Sequence, residues 1–156
     1  MKISDFLCTK AVCANLKATK KDEVIEELVS LLVNAGAIDK KNKAKVIEVL
    51  MAREALGSTA IGQGIAIPHG KCDSVNKLVG GLGISKQGLD FDSLDGEPAY
   101  IFFLLIAPLD SAGPHLKALA RISRLLKDKY FRDSLRASED EKSILKLVTQ
   151  EDGRNN

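Results

Sequence analysis

Apolar residues recur at three- and four-residue steps in several stretches of the chain, and this spacing predicts helices with one core-facing side. The first stretch follows Thr19, where Thr-Lys-Lys-Asp has the form of a capping box, and ends at Gly36, which suits a left-handed C-terminal cap. The second follows Asp39, a candidate N-cap, and ends at Gly57. Its predicted core face comprises Ala44, Ile47, Leu50 and Met51.

Two further helices are predicted in the C-terminal third of the chain. One begins near Pro114, since proline favours the first helical position, and its apolar period continues to about Leu135. The other opens at a capping box, Ser138-Glu-Asp-Glu141, and extends through Val148. Residues 151–156 are polar, and we expect them to form a frayed tail.

Two apolar segments without a helical period predict strands, at Lys77–Ser85 and at Ala99–Ala107. The second is apolar on both faces, so it should be a central strand that is covered on both sides. Residues 57–71 predict a loop, a short strand and another loop, and residues 86–96 are turn-rich. This order of elements favours an α/β (α+β-like) fold, in which helices flank both faces of a small mixed sheet.

Length and composition limit the classes of protein to which the chain can belong. Its 156 residues, 45% of them hydrophobic, predict a single domain over residues 1–150 that needs no disulfide or metal to fold. A net charge of +2 and the absence of tryptophan argue against a nucleic-acid partner. The longest apolar run is about nine residues, too short for membrane insertion. With no N-terminal signal core and three free thiols expected, we predict a cytoplasmic protein.

The densest group of unusual residues surrounds His69. Nearby glycines and a proline directly before the histidine would let the backbone approach an anion closely; they are Gly57, Gly62, Gly64, Pro68 and Gly70. The P-loop motif is absent, because five residues rather than four separate Gly64 from Gly70. A dinucleotide fingerprint is absent as well, so a nucleotide pocket is not expected.

Two other side chains offer anion-binding chemistry. His115 lies in the first turn of the third predicted helix, where unpaired N–H groups and the helix dipole favour an anion. Arg53, near the end of the second helix, carries a planar guanidinium that suits phosphate oxygens. Each residue also has an ordinary interpretation. His69 can be a loop residue bonded to backbone, His115 a partly exposed helix start, and Arg53 a surface residue that complements a helix dipole.

Two more uses of these side chains remain open at this point. His69 and Cys72 form one weak pair of metal ligands, without an accompanying CxxC or HExxH motif, so neither a metal nor a cofactor is expected. A nucleophilic dyad of the same two residues is disfavoured, because residues so close in a loop rarely find a third group to orient them. From the residues alone, phosphate chemistry on a histidine is one candidate among several.

The segment from Arg53 to Lys71, which ends in Ile-Ala-Ile-Pro-His-Gly-Lys, resembles the active-site block of Enzyme IIA of the mannitol/fructose class. These proteins are phosphocarriers of the bacterial phosphoenolpyruvate-dependent phosphotransferase system, with nitrogen-regulatory and fructose-specific branches. The resemblance extends from Ile3 to about Val148. It includes an arginine 16 residues before His69 and a second histidine 46 residues after it.

The resemblance implies a mannitol-type IIA sandwich and a role for each residue of the site. His69 would be the phosphorylated nucleophile, reacting through Nε2. His115 would stabilise the transferring phosphoryl group, and Arg53 would clamp its oxygens or help to assemble the site. The supporting loop would be formed by Gly62, Gly64, Pro68 and Gly70. The implied activity is that of a histidine phosphotransferase that needs neither cofactor nor metal.

The resemblance also implies partners. The donor would be HPr or its nitrogen-branch counterpart, which a shallow apolar surface around His69 would admit. The chain would then pass phosphate to a IIB domain in sugar transport, or use its phosphorylation state to control binding to cytoplasmic regulatory targets. A chain that ends at residue 156 without a linker to IIB favours the nitrogen-regulatory branch. A domain that binds without transferring phosphate is the remaining alternative.

Overall fold

The apolar segments of the chain form a mixed six-stranded sheet with helices on both faces in the computed structural model, which describes residues 1–154. The strands are β1 (Leu7–Cys13), β2 (Ala60–Gly62), β3 (Ile65–Ala66), β4 (His69–Lys71), β5 (Val79–Leu89) and β6 (Ala99–Ala107). The helices are α1 (Lys21–Asn34), α2 (Lys43–Ala55), α3 (Ala112–Leu125), α4 (Lys129–Ala137) and α5 (Glu141–Arg154). Short 3-10 turns occupy Ile3–Asp5 and Lys40–Asn42.

The strand order is β1-β5-β6-β3-β2, and β4 also pairs with β6. Strands β5 and β6 are antiparallel, with Val79 opposite Ile106, whereas β1 runs parallel to β5. Strands β3 and β4 both run parallel to β6, β3 beside its first half and β4 beside its last three residues. The candidate segment around His69 is therefore held against the C-terminal half of the central strand.

Side chains of β6 alternate between two hydrophobic cores, one on each face of the sheet. Phe103 and Leu105 lie in the core that is covered by α3, α4 and α5. Phe102 and Leu104 lie in the opposite core, which is covered by α1 and α2. This arrangement confirms the predicted mixed sheet with helices on both faces, and it confirms that β6 is central and covered on both sides.

The first two helices follow the sequence prediction with three corrections. Gly36 adopts a φ of +79° just after α1, which confirms the expected C-terminal cap. Asp39 caps the 3-10 turn that leads into α2, where its side chain accepts a backbone N–H at 3.1 Å, but the N-cap of α2 itself is Asn42. The box at Thr19 is wrong, since α1 begins at Lys21 with Lys20 as its N-cap. The buried stripe of α2 also differs from the predicted face: it consists of Val46, Leu50 and Glu54.

The long third helix of the prediction is in fact two helices. Its apolar period continues across the break, but the carboxylate of Asp128 accepts the N–H of Phe131 at 2.8 Å and starts a new helix. The predicted cap of the last helix is wrong as well. Asp140 accepts the N–H three residues further on at 2.8 Å, whereas the Ser138 hydroxyl donates to the carbonyl of Ser134.

The polar tail is shorter than predicted, because α5 continues to Arg154. Asp152 is 6% exposed, and its carboxylate accepts hydrogen bonds from Ile3 N at 2.8 Å and from Arg121 Nε at 2.6 Å. These bonds order the end of the helix against the N-terminus, so residues 151–154 are not frayed. Residues 155 and 156 lie outside the described part of the chain.

Strand β1 was not predicted from the sequence. Thr9 and Lys10 are exposed, while the adjacent Ala11 and Val12 are both buried, because the register with β5 shifts between Leu7 and Val12. This irregularity removes the strict alternation by which a half-buried strand is recognised. Strand β5 also extends beyond the predicted end at Ser85, to Leu89.

Candidate functional site

His69 is the first residue of β4, and its backbone is fixed by the central strand. It pairs with Leu105, whose N–H donates to the carbonyl of Pro68 at 3.0 Å. The ring Nδ1 lies 2.7 Å from the carbonyl oxygen of Ile67. A carbonyl can only accept, so Nδ1 carries the proton and Nε2 keeps its lone pair. The half-buried ring is thereby held as one tautomer, with Nε2 as the free nitrogen.

The glycines around His69 have two different functions in the fold. A Cβ on Gly70 would lie 2.8 Å from Val49 Cγ1, so glycine lets α2 pack closely against β4 at the site. Gly62 and Gly64 adopt φ values of +108° and +78° in the turn between β2 and β3. The side chain of Asp95 accepts the N–H of the residue between them at 3.0 Å, which holds that turn against the loop before β6.

His115 lies in the first turn of α3, beside His69. The centroids of the two imidazole rings are 5.6 Å apart, and the ring planes meet at 68°. His115 is 7% exposed, which differs from the partly exposed helix start of its ordinary interpretation. Among the described residues, its buried Nε2 has no hydrogen-bond partner. A buried nitrogen without a partner is costly, so the site is poised to accept one.

Arg53 lies in the last turn of α2 and completes the group of three predicted side chains. Its Nη1 donates to the carbonyl oxygen of Gly57 at 2.8 Å, across the turn that follows the helix. With His69 and His115 it lines an open depression of about 380 Å³. The structure thus brings together residues that are 16 and 46 positions apart in the sequence.

The rim of this depression is largely apolar. Its lining also includes Val49, Ala52 and Leu56 from α2 and the turn after it. Leu56 is 85% exposed, and Leu116, the residue after His115, is 68% exposed. Large apolar side chains so exposed around a concave polar centre are typical of a surface that a partner covers.

The pKa values of both histidines lie below the usual 6.5. Burial is the main cause for His69, and the nearby Arg53 charge adds to it, while the Ile67 hydrogen bond and the charge of Glu54 act in the opposite direction. For His115, burial again comes first, followed by the charges of His69 and Lys71. Both imidazoles are therefore neutral near pH 7, which leaves a nucleophilic lone pair on His69.

Sequence reasoning missed two residues of this region. Lys71 lines the depression, two positions after His69, where its charge faces the same space. Glu54 is 6% exposed and bonds to Thr59 and Lys21. Its position directly after Arg53 and its place on the buried stripe of α2, four residues after Leu50, were the signals that could have identified it.

The arrangement suits group transfer to a neutral imidazole. Nε2 of His69 can attack an electrophile, and the residues that line the same depression include Arg53 and His115, whose side chains carry groups that can interact with oxygen atoms. Within residues 1–154, no three His, Cys, Asp or Glu side chains form a group that could hold a metal ion. The described helices include none that is both long and apolar enough to cross a membrane.

The sequence of this chain is similar to a family of phosphotransferase proteins over nearly its whole length. The family described as "Phosphoenolpyruvate-dependent sugar phosphotransferase system, EIIA 2" matches residues 5–151. A nitrogen regulatory protein of Bradyrhizobium diazoefficiens is 40% identical over 148 residues, which are 95% of each chain. A fructose-specific EIIABC component of Bacillus subtilis is 38% identical over 97% of this chain but only 24% of its own greater length.

A solved structure agrees with these sequence matches. The crystal structure of nitrogen regulatory protein IIA-Ntr from Neisseria meningitidis superimposes with a TM-score of 0.84 at 30% identity. The match covers 94% of this chain and 98% of the other. The whole fold is therefore shared, including the strand and the helices that carry the three side chains of the site.

Proposed function

Because this chain belongs to the EIIA 2 family of the phosphoenolpyruvate-dependent sugar phosphotransferase system, we propose that it is a phosphocarrier in which His69 accepts the phosphoryl group and passes it on. The observation that carries the assignment is the hydrogen bond from His69 Nδ1 to the carbonyl of Ile67, 2.7 Å long. It leaves Nε2 as the free nucleophile in a depression that also contains an arginine and a second histidine.

The transfer step follows from this geometry. Nε2 of His69 attacks phosphorus, and a new N–P bond forms as the donor's N–P bond breaks. The donor ring, protonated on its other nitrogen, leaves as a neutral imidazole with the electron pair of the broken bond. His69 keeps the Nδ1 proton that it donates to Ile67, so the charges balance without a further proton. Phosphoryl transfer mainly requires positioning and stabilisation of charge on the equatorial oxygens. Arg53 supplies a cation for those oxygens, and His115 supplies a ring nitrogen that has no hydrogen-bond partner within residues 1–154.

The donor is HPr or its nitrogen-branch counterpart, a protein that itself carries phosphohistidine. Support comes from the apolar rim, where Leu56 is exposed beside a shallow depression that a protein surface can cover, and from Leu116, which is exposed directly after His115 in the sequence. Burial of that rim would exclude water from the transferring group, which protects the N–P bond from hydrolysis.

Once His69 is phosphorylated, the first candidate for the role of the protein is regulation. A nitrogen regulatory protein is matched over 95% of its length in sequence, and a IIA-Ntr structure over 98% of its chain. Transfer to a IIB domain in sugar transport is the second candidate, and it is favoured by the similarly close fructose-specific EIIABC relative. Both roles begin with phosphorylation of the same histidine.

The decisive experiment is phosphorylation with labelled phosphoenolpyruvate, Enzyme I and either HPr or nitrogen-branch HPr, followed by mapping of the modified residue. We expect the label on His69 and its loss in His69→Ala. The matched control is Lys10→Ala, which changes an exposed residue of β1 and leaves the depression and the imidazole in place. Undiminished labelling of His69→Ala would refute the proposal, as would mapping of the label to His115.

A second experiment separates the two downstream roles. The phosphorylated protein is mixed with a purified fructose-type IIB domain, and loss of label from the carrier is timed. Rapid transfer to IIB supports transport, whereas retention of the label, together with binding of a cytoplasmic protein to only one phosphorylation state, supports regulation.

A further inference from the structure

Glu54 is a buried carboxylate that the phosphotransfer reaction does not itself use. It is 6% exposed, and it lies on α2 directly after Arg53. One carboxylate oxygen accepts the Thr59 N–H at 3.1 Å and lies 3.0 Å from Lys21 Nζ, while the other accepts the Thr59 hydroxyl. Both oxygens are therefore fully engaged inside the fold.

From Thr59 the hydrogen bonds continue to His69. The carbonyl of Thr59 accepts the N–H of Ile67 at 3.1 Å. The carbonyl of Ile67, at the other end of the same residue, accepts Nδ1–H of His69 at 2.7 Å. One continuous chain thus leads from the Glu54 carboxylate through two backbone segments to the imidazole ring.

We propose that Glu54 is a positioning residue, which holds His69 in the tautomer with a free Nε2 by fixing Thr59 and, through it, Ile67. The effect on transfer rests on His69 being the phosphorylated residue, as proposed above. The effect on the ring does not, since the tautomer of His69 can be measured without phosphate.

The burial of the Glu54 carboxylate indicates that this residue positions the loop rather than simply filling space in the core. A buried ion pair gives little net stability compared with apolar side chains of the same volume, because desolvation offsets the attraction. Here the Glu54 side chain is 2% exposed and that of Lys21 is 20% exposed. What the carboxylate adds is direction: it aims two acceptor oxygens at one residue, and an apolar side chain could not do this.

The field of Glu54 acts on the same ring. Its negative charge raises the pKa of His69, against the larger lowering by burial. Arg53, the neighbouring residue on α2, holds the carbonyl of Gly57 in the loop that leads to Thr59. The last turn of α2 therefore anchors this loop at two points, one of them through the guanidinium that faces the site.

The test compares Glu54→Gln with Asp152→Asn. Each removes the charge of a buried carboxylate that is paired with a cation, but Asp152 pairs with Arg121 at the far end of the fold. The tautomer and titration of His69 are read by imidazole nitrogen NMR, and its rate of phosphorylation by HPr is measured separately. In Glu54→Gln we expect a mixture of tautomers, a lower pKa of His69 and phosphorylation slower by about 10- to 100-fold. In Asp152→Asn we expect none of these changes.

A second pair of variants covers the case in which Glu54→Gln does not fold. Thr59→Val removes the hydroxyl that bonds to Glu54, and Thr59→Ser retains it. We expect a mixture of His69 tautomers in Thr59→Val and the single wild-type tautomer in Thr59→Ser. An unchanged tautomer in both Glu54→Gln and Thr59→Val would overturn the proposal, as would equal slowing in Asp152→Asn. If the wild-type protein is not phosphorylated on His69, the proposed function fails, and the NMR comparison still decides whether Glu54 positions the ring.

Discussion

The imidazole rings of His69 and His115 stand nearly perpendicular, with 5.6 Å between their centroids, although one begins a strand and the other lies in the first turn of a helix. The hydrogen bond of His69 leaves its Nε2 free, and the buried Nε2 of His115 has no partner among the described residues. The pair thus combines a nucleophile with a group that gains a partner only when something is bound.

We predict that His115→Ala separates accepting phosphate from passing it on. The nucleophile and its tautomer are unchanged in this variant, so His69 should still be labelled by phospho-HPr. Stabilisation of the phosphoryl oxygens is lost, so onward transfer should slow by about 10- to 100-fold, the equivalent of one strong hydrogen bond. Single-turnover transfer to the acceptor measures this loss, and a wild-type rate would contradict the stabilising role.

Arg53→Lys should impair transfer although it keeps the positive charge. Lysine lacks the planar fork, so it cannot hold the Gly57 carbonyl and face phosphate oxygens at the same time. We expect a rate of phosphorylation lower by about tenfold, in line with the loss of one charge-assisted hydrogen bond. The same measurement on Lys45→Arg, on the exposed side of α2, should give the wild-type rate.

The pH dependence follows from the lowered pKa of His69. Only the neutral ring is nucleophilic, so the rate of phosphorylation should stay constant above the usual histidine value of 6.5 and fall only at lower pH. A rate that already declines by half above pH 6.5 would contradict the effect of burial.

The free energy of unfolding should also decrease as the pH falls below 6.5. Histidines in the unfolded chain take up protons near 6.5, before the two folded histidines do. The unfolded state then binds more protons, and the free energy of unfolding decreases as the pH falls from 6.5 through the lower folded values. Denaturant unfolding at several pH values, with the His69→Gln, His115→Gln double variant as control, measures this contribution.

Gly70→Ala should destabilise the protein by about 1–3 kcal/mol through overpacking, since the added Cβ would lie 2.8 Å from Val49 Cγ1. Shortening the opposing side chain tests the cause: Val49→Ala should recover much of the loss in the double variant. Gly153→Ala in α5 is the matched control, because a Cβ there meets nothing within 4 Å. Equal destabilisation by both glycine substitutions would contradict a steric origin.

Asp152→Asn should destabilise the protein by about 3 kcal/mol, because it leaves Arg121 beside a neutral partner in a site where the two side chains are 11% and 8% exposed. Thermal or urea unfolding measures the loss. Lys129→Gln, which breaks an exposed pair with Asp133, should change the free energy of unfolding far less, because water screens the pair. A comparable effect of the two substitutions would mean that the end of α5 is not anchored as described.

The fold could be predicted from the sequence where a single residue type or a regular spacing of apolar residues determines the local structure. The unbroken apolar run of β6 predicted a central strand, Gly36 predicted the end of α1, and Asp39 predicted the capped turn that leads into α2. The resemblance, in the block from Arg53 to Lys71 and at His115, identified three of the residues that line the depression.

Features that depend on partners distant in the sequence were not predictable in this way. Glu54 reads as an ordinary polar residue of α2 until Lys21 of α1 and Thr59 are seen to enclose it. Strand β1 depends on pairing with β5, and a register shift disrupts its alternation. Asp128 did carry a local signal, an N-cap in front of α4, but the continuous apolar period concealed the break.

Strand β6 positions both histidines of the site, and this has a consequence for how partners would recognise the phosphorylated protein. It pairs with β4 through Leu105, and α3, with His115, begins five residues after it ends. Both histidines are thus attached to one buried strand, and we expect phosphorylation to leave the backbone almost unmoved. The modification adds a charge of about −1.5 to −2, which is close in size to the net charge of +2 on the whole chain. Partners that distinguish the two forms would then recognise a change of electrostatic potential at one depression rather than a change of shape.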